Sequence, residues 1–347
     1  MNDKTYSSNK MDDLILSSIY SYYVKYENMV DIINQQFAGS SATSVNIFID
    51  VNDILCTTEN KMVTSSPDIH LSNPLILITG LINMAAHYRQ FFKTRYSCAT
   101  KIYFINSIDN IIAPLYDKKY FHKRPKSKEY IVDDNLMHQI CNYIYDVQYI
   151  STRVDFGTYT SFIMSYNVDN NPNIIITKDP FELQLCTKSN TFVLRPRKYR
   201  GQDTSYMANI TNAFYYYNGE LHLSATALTT FMALVPPNAK GFKGCGIRKS
   251  TAIDILKEYN GRFGIKYPWD TEKEFAKINN LCSKPFNVSE VANRFKAFDI
   301  GYLHLRGFKN LPESRLYNGI VNLYDPQGMK KINETFFADN PLDFEVL

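Results

Sequence analysis

Three short apolar runs constrain this chain more than any other feature: "VNIFID" at 45–50, "TKIYFIN" at 100–106 and "NIIIT" at 173–177. Each is rich in Val, Ile, Phe or Tyr and short, which is the pattern of a strand covered on both faces. Segments with helical spacing lie between them. Residues 73–95 place Leu75, Ile78, Ile82, Ala85, Ala86 and Phe92 on one face, and 133–148 reads as a second helix, while 160–166 fits either state. Strand, helix, strand, helix, strand gives a parallel sheet flanked by helices, so the fold class is α/β.

In a parallel sheet, ligands gather at the carboxyl ends of the strands. Asp50 ends the first strand, Asn106 and Asp109 end the second, and Asp179 follows the third. Convergence of these positions from three strands marks that edge as the candidate site, although a carboxylate at a strand end also serves as a helix N-cap.

A second cluster is "GFKGCGIRKSTAIDIL" at 241–256. Gly241, Gly244 and Gly246 allow a positive φ or a close approach that a side chain would block. Free backbone N–H groups then meet the positive end of a helix starting near Ser250, and Lys243, Arg248 and Lys249 add cations. Such a junction can hold an anion, most often phosphate. The same glycines also suit a capped turn between helices that binds nothing. Separately, "YDKKYFHKRPKSKEY" at 116–130 places six Lys or Arg within 118–128, interleaved with Tyr120 and Phe121. That loop is too long and too basic for a simple connector.

Composition narrows the classes further. A chain of 347 residues with 45% hydrophobic content can bury one large α/β core, or one core plus a smaller one. Net charge of +4 is mild, so a nucleic-acid footprint must come from local clusters. Six cysteines without a Cys-x-x-Cys pair argue against a zinc ribbon and against a disulfide framework, and fit a reducing compartment. No cationic leader precedes an apolar run, and the most apolar later segment, 74–86, contains Asn83 and runs into His87 and Arg89. The expectation is therefore no signal peptide, no membrane span and a cytoplasmic location, the host cytoplasm if the source is viral. The histidines show no ligand spacing, and no Ser-His-Asp or Cys-His arrangement stands out.

Taken in order, these features resemble the 5'-3' exonuclease and flap endonuclease family over about residues 45 to 260. "FIDVNDIL" is similar to its first-strand signature, with Asp50 in the place of the first metal-binding aspartate. "IITKDPFELQL" is similar to its strand followed by Asp-Lys-Asp-Leu-x-Gln-Leu. "LTTFMALV" followed by "GFKGCGIRKSTA" is similar to its helix, acidic loop and glycine hairpin. The resemblance implies a PIN-like domain over 45–230, with a central, mainly parallel sheet flanked by helices. It also implies a helix-three-turn-helix element at 231–262 that grips a DNA phosphodiester, usually with a bound K+. Segment 116–130 matches an arch over a single-stranded end, with Lys123 and Arg124 on phosphates and Tyr120 or Phe121 on a base. Flanking these are an N-terminal tail with an aromatic helix in 1–44, carrying Ile15, Ile19, Tyr22 and Tyr23, and a C-terminal extension, 263–347, whose segment 299–311 reads as a helical cap on the hairpin.

Departures from the family pattern bear on activity. The resemblance implies two-metal phosphodiester hydrolysis, in which a carboxylate cluster holds two Mg2+ or Mn2+ ions. Here Phe104-Ile105-Asn106 stands where the family has Phe-Asp, and Asp155-Phe156-Gly157-Thr158 where it has Glu-Ala-Asp-Asp. Phe181 replaces the second acid of the third cluster, and the acidic loop is shortened to Pro236-Pro237-Asn238. Asp50, Asp155 and Asp179 alone remain in matching places, a set that binds a divalent ion weakly or not at all. The expected function is binding of DNA, flapped or with a single-stranded end, without cleavage. Two alternatives stand beside it: a divergent active nuclease using Asp50, Asp155 and Asp179, and a virion component reusing the scaffold. The abundance of Asn, Ile, Lys and Tyr fits the AT-rich genome of a virus or phage.

Overall fold

The first apolar run forms β1 (Ser44–Asp50), and every residue from Val45 onward in it is buried. In this computed structural model the described residues are 43–54 except 53, 74–107, 132–166 except 153, 171–186 except 178, 190–195, 228–235, 245–258 and 271–300, with short strands between 23 and 28 and between 198 and 224. After β1 come α1 (Pro74–Tyr96), β2 (Ala99–Ser107), α2 (Asp134–Asn142), β3 (Val147–Thr152) and α3 (Phe156–Tyr166). Next are β4 (Asn173–Ile176), a 3-10 turn at Pro180–Leu185 and β5 (Thr191–Arg195). Four more helices follow: α4 (Leu228–Leu234), α5 (Lys249–Glu258), α6 (Thr271–Leu281) and α7 (Val288–Phe298). No helix among the described residues is long and apolar enough to cross a membrane.

β3, β2, β1, β4 and β5 lie side by side in that order, all parallel. Tyr206–Ala208 then pairs antiparallel with β5, and Glu27–Asn28 antiparallel with it. Side-chain alternation sorts the core into two layers. Ile47 and Ile49 of β1, Ile102 and Phe104 of β2, and Ile174 and Ile176 of β4 face α1 and α2. Phe48, Tyr103, Ile105, Ile175 and Val193 point the other way, toward α3 to α7. A buried polar pair helps hold the central register: Asn46 Nδ2 donates to Asn173 Oδ1 at 3.0 Å.

Two expected helices are corrected. Within 1–44, Tyr23–Val24 and Glu27–Asn28 are extended, and Tyr23–Val24 pairs with Phe214–Tyr217; Ile15, Ile19 and Tyr22 lie outside the described residues. Tyr and Val suit a pleated surface, and sheet edges offer them backbone partners. The helix expected over 133–148 stops at Asn142. Tyr143 N–H closes on the Ile140 and Cys141 carbonyls, and Asp146, at φ 56°, turns the chain into β3. The ambiguous segment 160–166 is helical, as part of α3.

Candidate functional site

The strand order reverses at β1: the chain proceeds outward through β2 and β3, then returns to the other side for β4 and β5. Loops leaving the carboxyl ends of β1 and β4 therefore diverge, and the space between them is where α/β sheets receive ligands. Asp50 ends β1 at this point and is 7% exposed. Thr177, the residue after β4, donates from Oγ1 to Asp50 Oδ2 at 3.3 Å and accepts from the Asp179 N–H at 3.1 Å. Thr177 thus links the two strand-end positions. Asp179 is half-buried, and its carbonyl accepts from Glu182 N, opening the 3-10 turn.

Asp155 follows β3, two strands from β1, and its carboxylate is built into a helix cap. Oδ2 accepts from Thr158 N at 2.9 Å and Oδ1 from Thr158 Oγ1 at 2.8 Å, while its carbonyl accepts from Tyr159 N. This is N-cap geometry for α3, and it satisfies an orphan donor of the first turn. Thr158 is fully buried beneath it.

A second network fills the ends of β2 and β3. Asn106 Nδ2 donates to Asp134 Oδ1 at 3.1 Å and to the Tyr149 hydroxyl at 2.8 Å. Tyr149 in turn donates to Asp134 Oδ1 at 2.5 Å, and Ser151 Oγ donates to Oδ2 at 2.9 Å. Burial first, then the hydrogen bond and charge of Asp134, push the Tyr149 hydroxyl far above its ordinary range, so it stays protonated and donates. Asp134 opens α2 behind an Asp133 N-cap, and Tyr149 stacks edge-on against His138 with ring centroids 5.0 Å apart.

Sequence reading missed three residues here. Asp134 carries no signal of its own in the sequence, because its partners on β2 and β3 are set by strand register. Glu182, in the 3-10 turn, is buried, 6% exposed, against the first turn of α3. A Cβ at Gly157 would collide with Glu182 Oε2 and Ile300 Cδ1, so a larger residue there must displace those two side-chain ends. Gln184 joins three elements: it accepts from Thr229 Oγ1 of α4 at 2.7 Å and from Ile300 N at 3.2 Å, and donates to the Phe298 carbonyl at 3.1 Å. Its match to the family Gln was the available signal.

The glycine hairpin connects α4 and α5. Gly246 has φ +85°, a conformation that favours glycine, and no atom stands within 4 Å of where a Cβ would be. Arg248 is exposed, its carbonyl accepts from Ala252 N at 3.0 Å, and Lys249 opens α5. The end of α4 is anchored from the other side, where Cys245 Sγ donates to the Leu234 carbonyl at 2.8 Å and buried Arg294 of α7 donates to the Ala233 carbonyl at 2.8 Å. Gly241, Lys243, Gly244 and Pro237 lie outside the described residues, as do Asp109 and the basic segment with Lys123, Arg124, Tyr120 and Phe121.

No protein-family model and no curated protein matches the sequence. Solved structures do. A bacteriophage T5 5'-exonuclease with bound zinc matches at 10% identity and TM-score 0.46, over 84% of this chain and 99% of the other. The catalytic core of Rad2 in complex with a DNA substrate matches at 10% identity and TM-score 0.44, over 84% of each chain. The Holliday junction-resolving enzyme GEN1, in complex with product DNA and Mg2+, matches at 9% identity and TM-score 0.52, over 93% of this chain and 72% of the other. The fold is that of the 5'-3' exonucleases and flap endonucleases. On this flap-endonuclease fold, no three His, Cys, Asp or Glu side chains among the described residues are grouped so as to hold a metal ion.

Proposed function

We propose that this protein binds DNA, flapped or with a single-stranded end, on a flap-endonuclease scaffold that does not cleave it. DNA as the partner is supported by the DNA bound to GEN1 in the matching structure, and by a glycine hairpin whose described part, Cys245 to α5, presents Arg248 to solvent.

The observation that carries the inactive reading is the state of Asp155. Both its oxygens accept from Thr158, and the two following positions relevant to metal binding are Gly157 and Thr158. Two divalent ions need many carboxylate oxygens. Asp50, Asp155 and Asp179 do not fit that demand, and Asp134 is held by three donors at the neighbouring strand ends. What this site's own residues can do is accept hydrogen bonds and hold the ends of β1, β2 and β4 in place. The basic segment 116–130 and the hairpin cations Lys243, Arg248 and Lys249 would supply the phosphate contacts.

Incubation of a 5'-flap substrate with the purified chain tests this directly. Binding of the flap, with no cleavage in Mg2+ or Mn2+ above a preparation lacking the protein and no change in Asp50→Asn, is expected. Robust metal-dependent cleavage that disappears in Asp50→Asn would instead establish a divergent nuclease working through Asp50, Asp155 and Asp179.

A further inference from the structure

The opposite end of β2 holds a separate feature. Arg89 and Lys93 of α1, Ser97 and Thr100 at the α1–β2 junction, and Tyr145 and Asp146 before β3 line a groove of about 570 Å³. At about 3.3 Å per residue, roughly 23 Å of strand separates this end of β2 from the Asn106 network. The groove is therefore distinct from the strand-end site.

Its chemistry combines oriented charge with an exposed ring. Arg89 donates from Nε to Thr100 Oγ1 at 3.2 Å and from Nη2 to the Tyr145 carbonyl at 2.7 Å, so the guanidinium is positioned before any ligand arrives. Lys93 follows one helical turn later and is exposed, as is Lys101 near the start of β2. Asp146 is the one acid among the lining residues, so the local balance is positive. Tyr145 is 63% exposed, and with Leu281 it is one of only two large apolar side chains left so open among the described residues. Flanking the groove, Ser97 at φ 54° and Asp146 at φ 56° are held in the left-handed region without being glycine. That conformation is unfavourable for an L-residue and persists only where the surroundings fix it.

We propose that this groove binds a nucleotide unit, with the base stacked on Tyr145 and the phosphate on Arg89 and Lys93. A flat exposed ring beside oriented and mobile cations is how sequence-tolerant single-strand sites work. An acidic protein segment would use the cations but leave the ring idle. The inference rests on the DNA-binding reading above only for its ligand class, and its residues are separate from the hairpin and the basic segment.

The test is fluorescence anisotropy on the full chain with labelled oligothymidylate and, separately, a blunt duplex. Tyr145→Ala and Lys93→Glu are each expected to weaken oligothymidylate binding about fivefold or more, the lower end of what one base-to-aromatic stack contributes. Tyr145→Phe should keep the affinity, and all three variants should keep duplex binding and the melting temperature. Competition by thymidine monophosphate would show that the free nucleotide also enters, and its failure would assign the groove to a strand; both are forms of the proposed site. Oligothymidylate affinity unchanged in both Tyr145→Ala and Lys93→Glu would overturn the proposal, as would displacement by polyglutamate at equal charge. Loss of duplex binding in the wild type would count against the DNA-binding reading instead.

Discussion

Asn106 donates to Asp134 across 3.1 Å at the end of β2. The amide supplies two protons, one to Asp134 and one to Tyr149, and each is used. An aspartate at 106 would supply none. It would place a second carboxylate against Asp134 Oδ1 and remove a donor from Tyr149.

Asn106→Asp therefore tests whether the site is built around the amide. Unfolded, both carboxyls titrate near their ordinary value of about 3.9. Folded, mutual repulsion raises one of them, so the folded state holds an extra proton between the two values. The sign follows: the variant approaches wild-type stability below pH ~4 and loses it as pH rises, by about 1 to 3 kcal/mol at neutral pH. Urea denaturation of both proteins from acid to neutral pH measures the gap. A gap independent of pH would mean that charge repulsion is not its source.

Asp155 separates a capping role from a metal-binding one. Asp155→Ala removes the cap and leaves the hydroxyl of buried Thr158 without its acceptor, an expected loss of about 1 to 3 kcal/mol. Asp155→Asn retains an oxygen for the Thr158 N–H and should melt within a few degrees of wild type. Both variants should bind the flap like wild type. A thermal shift on adding Mn2+ to the wild type that vanishes in Asp155→Asn would instead identify the carboxylate as a ligand.

Gly157 and Glu182 form a pair that a double-mutant cycle can isolate. In an exposed helix, Gly to Ala gains up to about 1 kcal/mol. Here the new methyl meets Glu182 Oε2 and Ile300, so Gly157→Ala should destabilise by about 1 to 3 kcal/mol. Glu182→Ala clears the space, and adding Gly157→Ala to it should cost far less. A coupling energy of about 0.5 kcal/mol or more is expected from chemical denaturation of the four proteins, whereas additivity would show that another contact excludes the side chain.

The central sheet was legible because β1, β2 and β4 are each apolar enough to announce burial on both faces, and their order alone places Asp50 and Asp179 on one edge. β3 was not, since "VQYIST" alternates buried and half-buried residues and continues without a break from α2; the turn at Asp146 is a tertiary fact. The short strands at Tyr23–Val24 and Glu27–Asn28 draw their partners from residues more than 150 positions away, which no local pattern reveals. At the site, what surrounds the strand-end acids could not be read. Glu182 reaches Gly157 from another element, and Asp134 meets Asn106 through register. Likewise, nothing in the sequence marks Arg294, which is 1% exposed and holds the carbonyl end of α4.

That anchoring bears on the proposed contact between the hairpin and DNA. Cys245 and Arg294 donate to the Leu234 and Ala233 carbonyls, so the carbonyl end of α4 is tied both to α7 and to the residue that leads into α5. Phosphate contacts are sequence-independent, and each releases counterions on binding. Log affinity for duplex should fall linearly with log salt, with a slope of about −0.9 per neutralised phosphate. Changing Lys243 and Lys249 together to Ala should flatten that slope by about 1.8 and weaken all duplex sequences alike. Arg294→Met should weaken binding with the slope largely kept, because it displaces the hairpin without removing a cation from it. Salt titrations of the three proteins distinguish these effects. If duplex affinity and slope are unchanged in the double lysine variant, the hairpin is a structural turn and the DNA contacts lie elsewhere on the chain.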